Sequence, residues 1–88
     1  MQSILQDEKK CYVTGCTVNL DRHHVFGGAL RKWSEQEGLW VWLVHDIHMY
    51  MHQHDPAALK RLKADAQAVY EKTHSREEFM RHVRKNYL

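Results

Sequence analysis

The chain has 88 residues and a formal net charge of +2, with 27% of its residues charged. This length allows one domain with a thin core, a size at which many proteins add a metal ion, disulfide bonds or a partner for stability. The two cysteines are too few for a disulfide framework, and no segment resembles a signal peptide or a membrane span, so we expect a cytoplasmic protein with no membrane partner.

The predicted elements begin after a polar lead-in at residues 1–10, which we expect to be loosely held, and residues 11–88 form one predicted domain. Two short extended segments follow, at residues 11–13 and 23–26, and a pair of glycines ends the second. Residues 29–37 favour a helix, and Gly38 is a suitable C-terminal stop.

Residues 39–44 are apolar at every position, which predicts a strand covered on both faces. Core packing under the C-terminal helices is the favoured role of its two tryptophans, Trp40 and Trp42. The alternative is that they stack on unpaired bases of a nucleic acid.

Three further helices complete the predicted chain. Asp46 is a candidate N-cap for a helix that ends near position 55. Residues 59–70 show the apolar spacing of an amphipathic helix, and Ser75 with Glu78 forms a capping-box pattern that opens the last helix. The predicted fold class is therefore α+β.

Eight histidines are an unusually high number for 88 residues, and five of them fall in two tight groups. His48 and His52 are four residues apart on a predicted helix, so their imidazoles project from one face and can share a metal ion. His23 and His24 are neighbours on an extended segment and point to opposite faces, so one can bind metal while the other faces a substrate. A lone histidine of this kind would be better explained as a packed core residue, but the four together favour a functional site.

Four features follow one another along the chain: the string Arg-His-His-Val-Phe at 22–26, a glycine-bearing connection, an extended segment and a helix with H-x3-H. In this order they resemble the signature of the HNH (ββα-metal, His-Me finger) endonucleases. The form with paired histidines is that of the colicin-type nucleases. The fuller pattern, with Gly-Gly at 27–28, Arg31, Ser-Glu at 34–35 and the ending Lys-Asn-Tyr-Leu, is similar to small phage-encoded HNH proteins, including RecA-dependent recombination nucleases. The resemblance covers roughly residues 11–88.

The resemblance implies a ββα-metal fold with an extra helix in the hairpin connection and two C-terminal helices. It implies that His23, His48 and His52 hold one divalent cation, and that His24 is the general base of phosphodiester hydrolysis in DNA. Histidine suits this role because its charge changes near neutral pH. Mg²⁺ or Mn²⁺ would support activity, and Zn²⁺ or Ni²⁺ would also suit three imidazoles.

Two basic residues follow the glycine turn, close to the expected metal. Arg31 is the preferred phosphate contact and a candidate catalytic residue, because a guanidinium can grip a phosphate with two hydrogen bonds. Lys32 is a second substrate-binding candidate, and a solvated surface charge is the alternative for it.

The expected partner is DNA, in a phage or prophage setting within a bacterial host cell, together with a recombination protein or a second copy of the chain. Basic residues in the last third of the chain could contact phosphates or could simply form a solvated helix surface. Two other functions compete with the nuclease. One is a non-catalytic, metal-stabilised module that binds nucleic acid or a recombination protein, and the other is a protein–protein adaptor without metal.

The sequence departs from the family pattern at the middle residue of the motif, usually an asparagine that orients the base, where this chain has Gly38. Ser34, Asn19 or a backbone carbonyl could instead hold the imidazole of His24. The sequence does not choose among these three.

The cysteines and the remaining histidines raise two further alternatives. The structural zinc site of many family members is reduced here to Cys11, with Thr14, Val44 and Ile47 at its other three places. Cys16 and His45 could join Cys11 in an irregular zinc site. His54 is an alternative ligand in the H-x3-H helix, but we expect it to point away.

Overall fold

A computed structural model describes all residues of the chain, Met1–Leu88. The elements in chain order are β1 (Leu20–His24), a 3₁₀ turn (Gly28–Leu30), α1 (Arg31–Gln36), β2 (Trp40–Val44), α2 (His45–His54), α3 (Pro56–Tyr70) and α4 (Arg76–Val83). The two strands form one antiparallel sheet, which confirms the α+β class and the helix within the hairpin connection. The order β1, β2, α2 is compatible with a ββα arrangement.

The strand register decides which side chains of β1 face which helix. His23 pairs with Val41 and His24 pairs with Trp40 across the sheet. Since neighbouring side chains on a strand point to opposite faces, His23 is directed towards α2 and His24 towards α1. The side chains of the two histidines therefore lie in different surroundings, as their adjacency on a strand predicts.

The core lies between the inner face of β2 and the three helices that follow it. Leu39, Val41 and Leu43 are completely buried there, together with Phe79 of α4. The aromatic ring of Phe26 lies 5.5 Å from that of Phe79, which ties the end of β1 to α4. This packing fixes β2, and with it the start of α2.

The lead-in is held along the free edge of β2 instead of being loose. The backbone N–H of Ile4 donates to Gly38 O at 2.9 Å, and that of Trp42 donates to Gln6 Oε1 at 2.8 Å. The indole of Trp40 donates to Met1 O at 3.1 Å. The lead-in therefore satisfies the open edge of the sheet. The lead-in, and not the C-terminal helices as the sequence predicts, covers the tryptophan side of β2.

The prediction of an extended segment at residues 11–13 is wrong. The backbone N–H of Gly15 donates to Cys11 O at 2.8 Å, and that of Cys11 donates to Cys16 O at 2.7 Å, so this stretch forms a compact turn. Gly15 has φ +78°, a conformation that suits glycine and ends any extended run.

The helix caps follow the sequence patterns with one exception. The side chain of Asp46 does not cap α2, because β2 runs directly into the helix and Val44 takes the N-cap position. Asp55 caps α3 by accepting from the Ala58 N–H at 3.1 Å. The capping box of Ser75 and Glu78 at the start of α4 is confirmed.

Gly38 offers a test of how closely the lead-in is packed. It has φ +69°, and a Cβ there would collide with the carbonyl oxygen of Gln2 and lie 3.1 Å from Cγ2 of Ile4. We expect Gly38→Ala to lower the free energy of unfolding by about 1–3 kcal/mol, measured by urea denaturation. Gly15→Ala is the matched control, since Gly15 has φ +78° but no atom within 4 Å of the added Cβ. Equal losses in the two variants would contradict the close packing of the lead-in.

Candidate metal centre

Three imidazole rings converge where β1 meets α2. His23 Nδ1 lies 3.2 Å from His48 Nε2, and His52 Nε2 lies 3.1 Å from the same atom. One ring nitrogen from each of the three histidines lies within 4.8 Å of the other two, and no other such group of possible ligand atoms occurs in the chain. The structure thus brings together the three residues that the family resemblance implies as metal ligands.

The separations fit a shared ion. Two nitrogens bound at about 2.0–2.1 Å to one tetrahedral ion lie about 3.3 Å apart, close to the two short distances in the cluster. Three neutral imidazoles are also a donor set that divalent transition metals accept. The residues present therefore fit a divalent cation, whose identity this donor set does not fix.

Asp21 orients the central ring of the cluster. Its Oδ2 lies 3.0 Å from His48 Nδ1 and 2.7 Å from His45 Nδ1. A carboxylate accepts a hydrogen from Nδ1 of His48, which leaves the lone pair of Nε2 directed at the cluster. Hydrogen bonds from His48 and then His45 hold the pKa of Asp21 below its usual range. Asp21 is a candidate supporting residue of the site that the sequence analysis missed.

Burial keeps the cluster ready to bind a cation. The side chain of His23 is 6% exposed, and its burial, reinforced by the neighbouring His48 and His52, lowers its pKa to about 4. Burial, followed by the charge of His48, also lowers the pKa of His52. His23 is therefore neutral at neutral pH, with its lone pair available to a metal.

His24 lies next to the cluster but has a different partner. Its Nε2 is 3.2 Å from Glu35 Oε1, and Nη1 of Arg22 is 2.8 Å from the same oxygen. The hydrogen bond from Arg22, supported by that from His24, lowers the pKa of Glu35. Glu35 is the second functional candidate that the sequence analysis missed, although it lies in the quoted Ser-Glu pair.

The groups that we considered for holding His24 have other partners. The hydroxyl of Ser34 accepts from the Phe26 N–H at 3.3 Å and donates to Leu39 O at 2.6 Å. The carbonyl of Asn19 accepts from the His45 N–H at 2.9 Å, and Asn19 itself has φ +58°. Neither residue makes a hydrogen bond to His24.

An open cleft of about 260 Å³ connects the four histidines with Arg31. Arg22 and the two glycines at 27–28 complete its walls. Lys32 lies outside this cleft and lines the neighbouring depression beside His24 and Glu35. Of the two predicted phosphate contacts, only Arg31 shares a cleft with the metal ligands.

The remaining candidate ligands lie away from the cluster. Cys11 is buried and Cys16 is exposed, while His45 is turned towards Asp21. At two of the positions where the family pattern has structural zinc ligands, this chain has Val44 and Ile47, which pack against the core. The ring of His54 lies 5.3 Å from that of Tyr50, outside the cluster, as its position on the helix predicts.

Searches of protein-family models, curated proteins and solved structures found no match to this chain. None of the helices combines the length and the apolar character needed to cross a membrane.

We expect Zn²⁺ or Mn²⁺ to raise the melting temperature of the protein through the histidine cluster. An ion at 100 times its Kd stabilises by about 2.7 kcal/mol, and each kcal/mol raises the melting temperature by roughly 4–8 °C for a domain of this size. His52→Ala removes one ligand and should abolish most of the shift in differential scanning fluorimetry. His54→Ala is the matched control from the same helix and should keep it. A shift that survives His52→Ala would contradict the site.

Asp21→Ala should weaken metal affinity by about 10- to 100-fold, because the ring of His48 is then free to turn and to change tautomer. Isothermal titration calorimetry with Zn²⁺ measures the change. Asp46→Ala removes an exposed carboxylate from the first turn of the same helix, without a hydrogen bond to any histidine, and should leave the affinity unchanged. Equal affinities of the two variants would show that Asp21 does not support the ligand.

Proposed function

We propose that this protein is a metal-dependent DNA endonuclease of the HNH type that hydrolyses phosphodiester bonds. The observation that carries the proposal is the placement of His24 in one cleft with the three convergent histidines, while its own hydrogen bond is made outside the ligand set. A structural zinc site needs ligands alone, usually four of them, whereas this cluster supplies three. A hydrolytic site needs, in addition, a base that is not a ligand, and His24 fills that position.

His24 is the proposed general base. Its side chain is 11% exposed, so the ring is held in place and still open to the cleft. The ring takes a proton from a water molecule as the water oxygen forms a bond to phosphorus. The bond from phosphorus to the 3′ oxygen then breaks, and that oxygen takes a proton from solvent, which gives 5′-phosphate and 3′-hydroxyl ends.

The other residues of the cleft hold the substrate and the cofactor. His23, His48 and His52 would hold a divalent cation, which when bound supplies stabilisation of negative charge on phosphate oxygens. Arg31 is exposed on the wall of the cleft, where its guanidinium can bind a non-bridging oxygen of the same or an adjacent phosphate. The exposed ammonium of Lys32, in the neighbouring depression, suits a phosphate further along the strand.

Three of the basic residues in the last third of the chain have partners within that part of the chain. Arg76 pairs with Glu71 at 3.2 Å, and the ammonium groups of Lys63 and Lys85 lie 5.6 and 5.1 Å from the ring of Tyr87. These charges are engaged within the C-terminal part of the chain. The cleft, which joins His24 and Arg31 to the three convergent histidines, is the proposed contact surface for DNA.

We expect the purified protein to nick supercoiled plasmid DNA in the presence of Mg²⁺ or Mn²⁺, and His24→Ala to lower the rate by about 10²- to 10⁴-fold. The reason is that the variant loses the proton acceptor and keeps all three ligands. Agarose gels measure the nicking rate, and the Zn²⁺-induced rise in melting temperature shows that the metal site is intact.

His54→Ala is the control for the loss of a histidine outside the cleft, and a chelator should stop cutting by every active form. A rise in melting temperature with metal but no nicking by the wild type would favour the non-catalytic binding module. Nicking that His24→Ala leaves unchanged would falsify the assignment of the base.

A further inference from the structure

The carboxylate of Glu35 makes the one hydrogen bond that links the ring of His24 to another side chain. Oε1 of Glu35 lies 3.2 Å from Nε2 of His24, whereas Nδ1 has no hydrogen-bond partner in the protein. Glu35 belongs to α1, the helix inserted between the two strands, and does not take part in the ligand cluster. Its contacts with the residues of the cleft are made through His24 and Arg22.

The contact determines which nitrogen of His24 carries the hydrogen. An ionised carboxylate can only accept hydrogen bonds, so Nε2 must donate. In a neutral imidazole the other nitrogen, Nδ1, then holds the lone pair. Glu35 thus selects the tautomer in which Nδ1 is the proton acceptor.

Glu35 is itself held by a second contact from β1. Nη1 of Arg22 lies 2.8 Å from the same Oε1 atom, and the Arg22 guanidinium is stacked 3.8 Å from the centre of the Trp40 ring. The other oxygen, Oε2, is buried without a hydrogen bond, and the N-terminal ammonium is 4.0 Å away. The carboxylate is therefore fixed in orientation, with Oε1 shared between Arg22 and His24.

The backbone around Glu35 is anchored as well. Its neighbour Ser34 is completely buried and joins Phe26, just beyond β1, to Leu39, just before β2. Helix α1 therefore cannot shift relative to the strands without breaking these two hydrogen bonds. A side chain on this helix is well placed to orient a residue at the end of β1.

We propose that Glu35 is the positioning residue of His24: it fixes the imidazole in the Nε2–H tautomer and leaves Nδ1 open to the cleft. The tautomer assignment stands on the contacts alone, and its effect on cutting rests on the proposed nuclease function. Glu35 thereby supplies the orienting group that the family resemblance places at the position of Gly38. A purely structural ion pair between Glu35 and Arg22 is the competing explanation.

Two variants separate these explanations in the full-length, Zn²⁺-saturated protein. Glu35→Leu removes the acceptor, so two-bond ¹H–¹⁵N NMR correlations should show the His24 ring changing from the Nε2–H form to a mixture of tautomers. Glu35→Gln keeps an amide oxygen that can accept from both Arg22 and His24, so it should keep the wild-type tautomer. Glu35→Ala is a second variant without an acceptor if the leucine variant folds poorly.

The same variants are compared in plasmid nicking with Mn²⁺. Glu35→Leu should lower kcat by about 10- to 100-fold with little change in KM, within the roughly 10²- to 10⁴-fold contribution of a general base. Glu35→Gln should recover most of this loss. Glu37→Leu is the matched control, because that carboxylate faces His74 at 3.8 Å and should affect neither the tautomer nor kcat.

An Nδ1–H tautomer of His24 in the wild type would overturn the proposal, and so would an unchanged tautomer or kcat in Glu35→Leu. A loss in Glu35→Gln as large as that in Glu35→Leu would also overturn it, because charge and not hydrogen-bond acceptance would then be the cause. If the wild type does not cut DNA but the tautomers follow the expected pattern, the nuclease function fails and the orientation of His24 by Glu35 stands.

Discussion

The pairing of β1 with β2 is the constraint on which the site depends. β2 runs into α2 without an intervening loop, so the position of the helix is fixed by the strand that precedes it. The register that sets His23 opposite Val41 then determines how close His23 comes to His48. A shift of one residue would turn His23 to the other face of the sheet and bring His24 or Arg22 towards α2. Val25 and Phe26, which are buried just beyond β1, oppose such a shift, because it would move them out of the core.

Local patterns were sufficient to predict the parts of the site that lie on one element. The four-residue spacing of His48 and His52 requires only a helix, and the opposite directions of His23 and His24 require only a strand. The capping box at Ser75 and the apolar run of β2 are equally local signals. These features follow from backbone geometry, which is the same in every protein.

The parts that the sequence did not predict depend on contacts between distant elements. Asp21 meets His48 across 27 positions of sequence, and Glu35 meets His24 across 11. Nothing in the local pattern distinguishes these carboxylates from exposed ones such as Asp46. The same reason explains the lead-in, whose role as the cover of the β2 edge becomes visible only when the sheet is formed. Asp46 failed as a cap because the direct junction of strand and helix left it inside the first turn.

Each of the two carboxylates accepts a hydrogen bond from its histidine, but each accepts it from a different ring nitrogen. Asp21 accepts from Nδ1 of His48 and so frees Nε2, whereas Glu35 accepts from Nε2 of His24 and so frees Nδ1. The first choice completes a ligand set, because Nε2 of His48 is the atom nearest to both partner histidines. The second leaves a ring nitrogen without any partner beside that set. In the proposed nuclease, the carboxylates that face these two chemically equal imidazoles would give them different roles, with His48 suited to bind a cation and His24 suited to accept a proton.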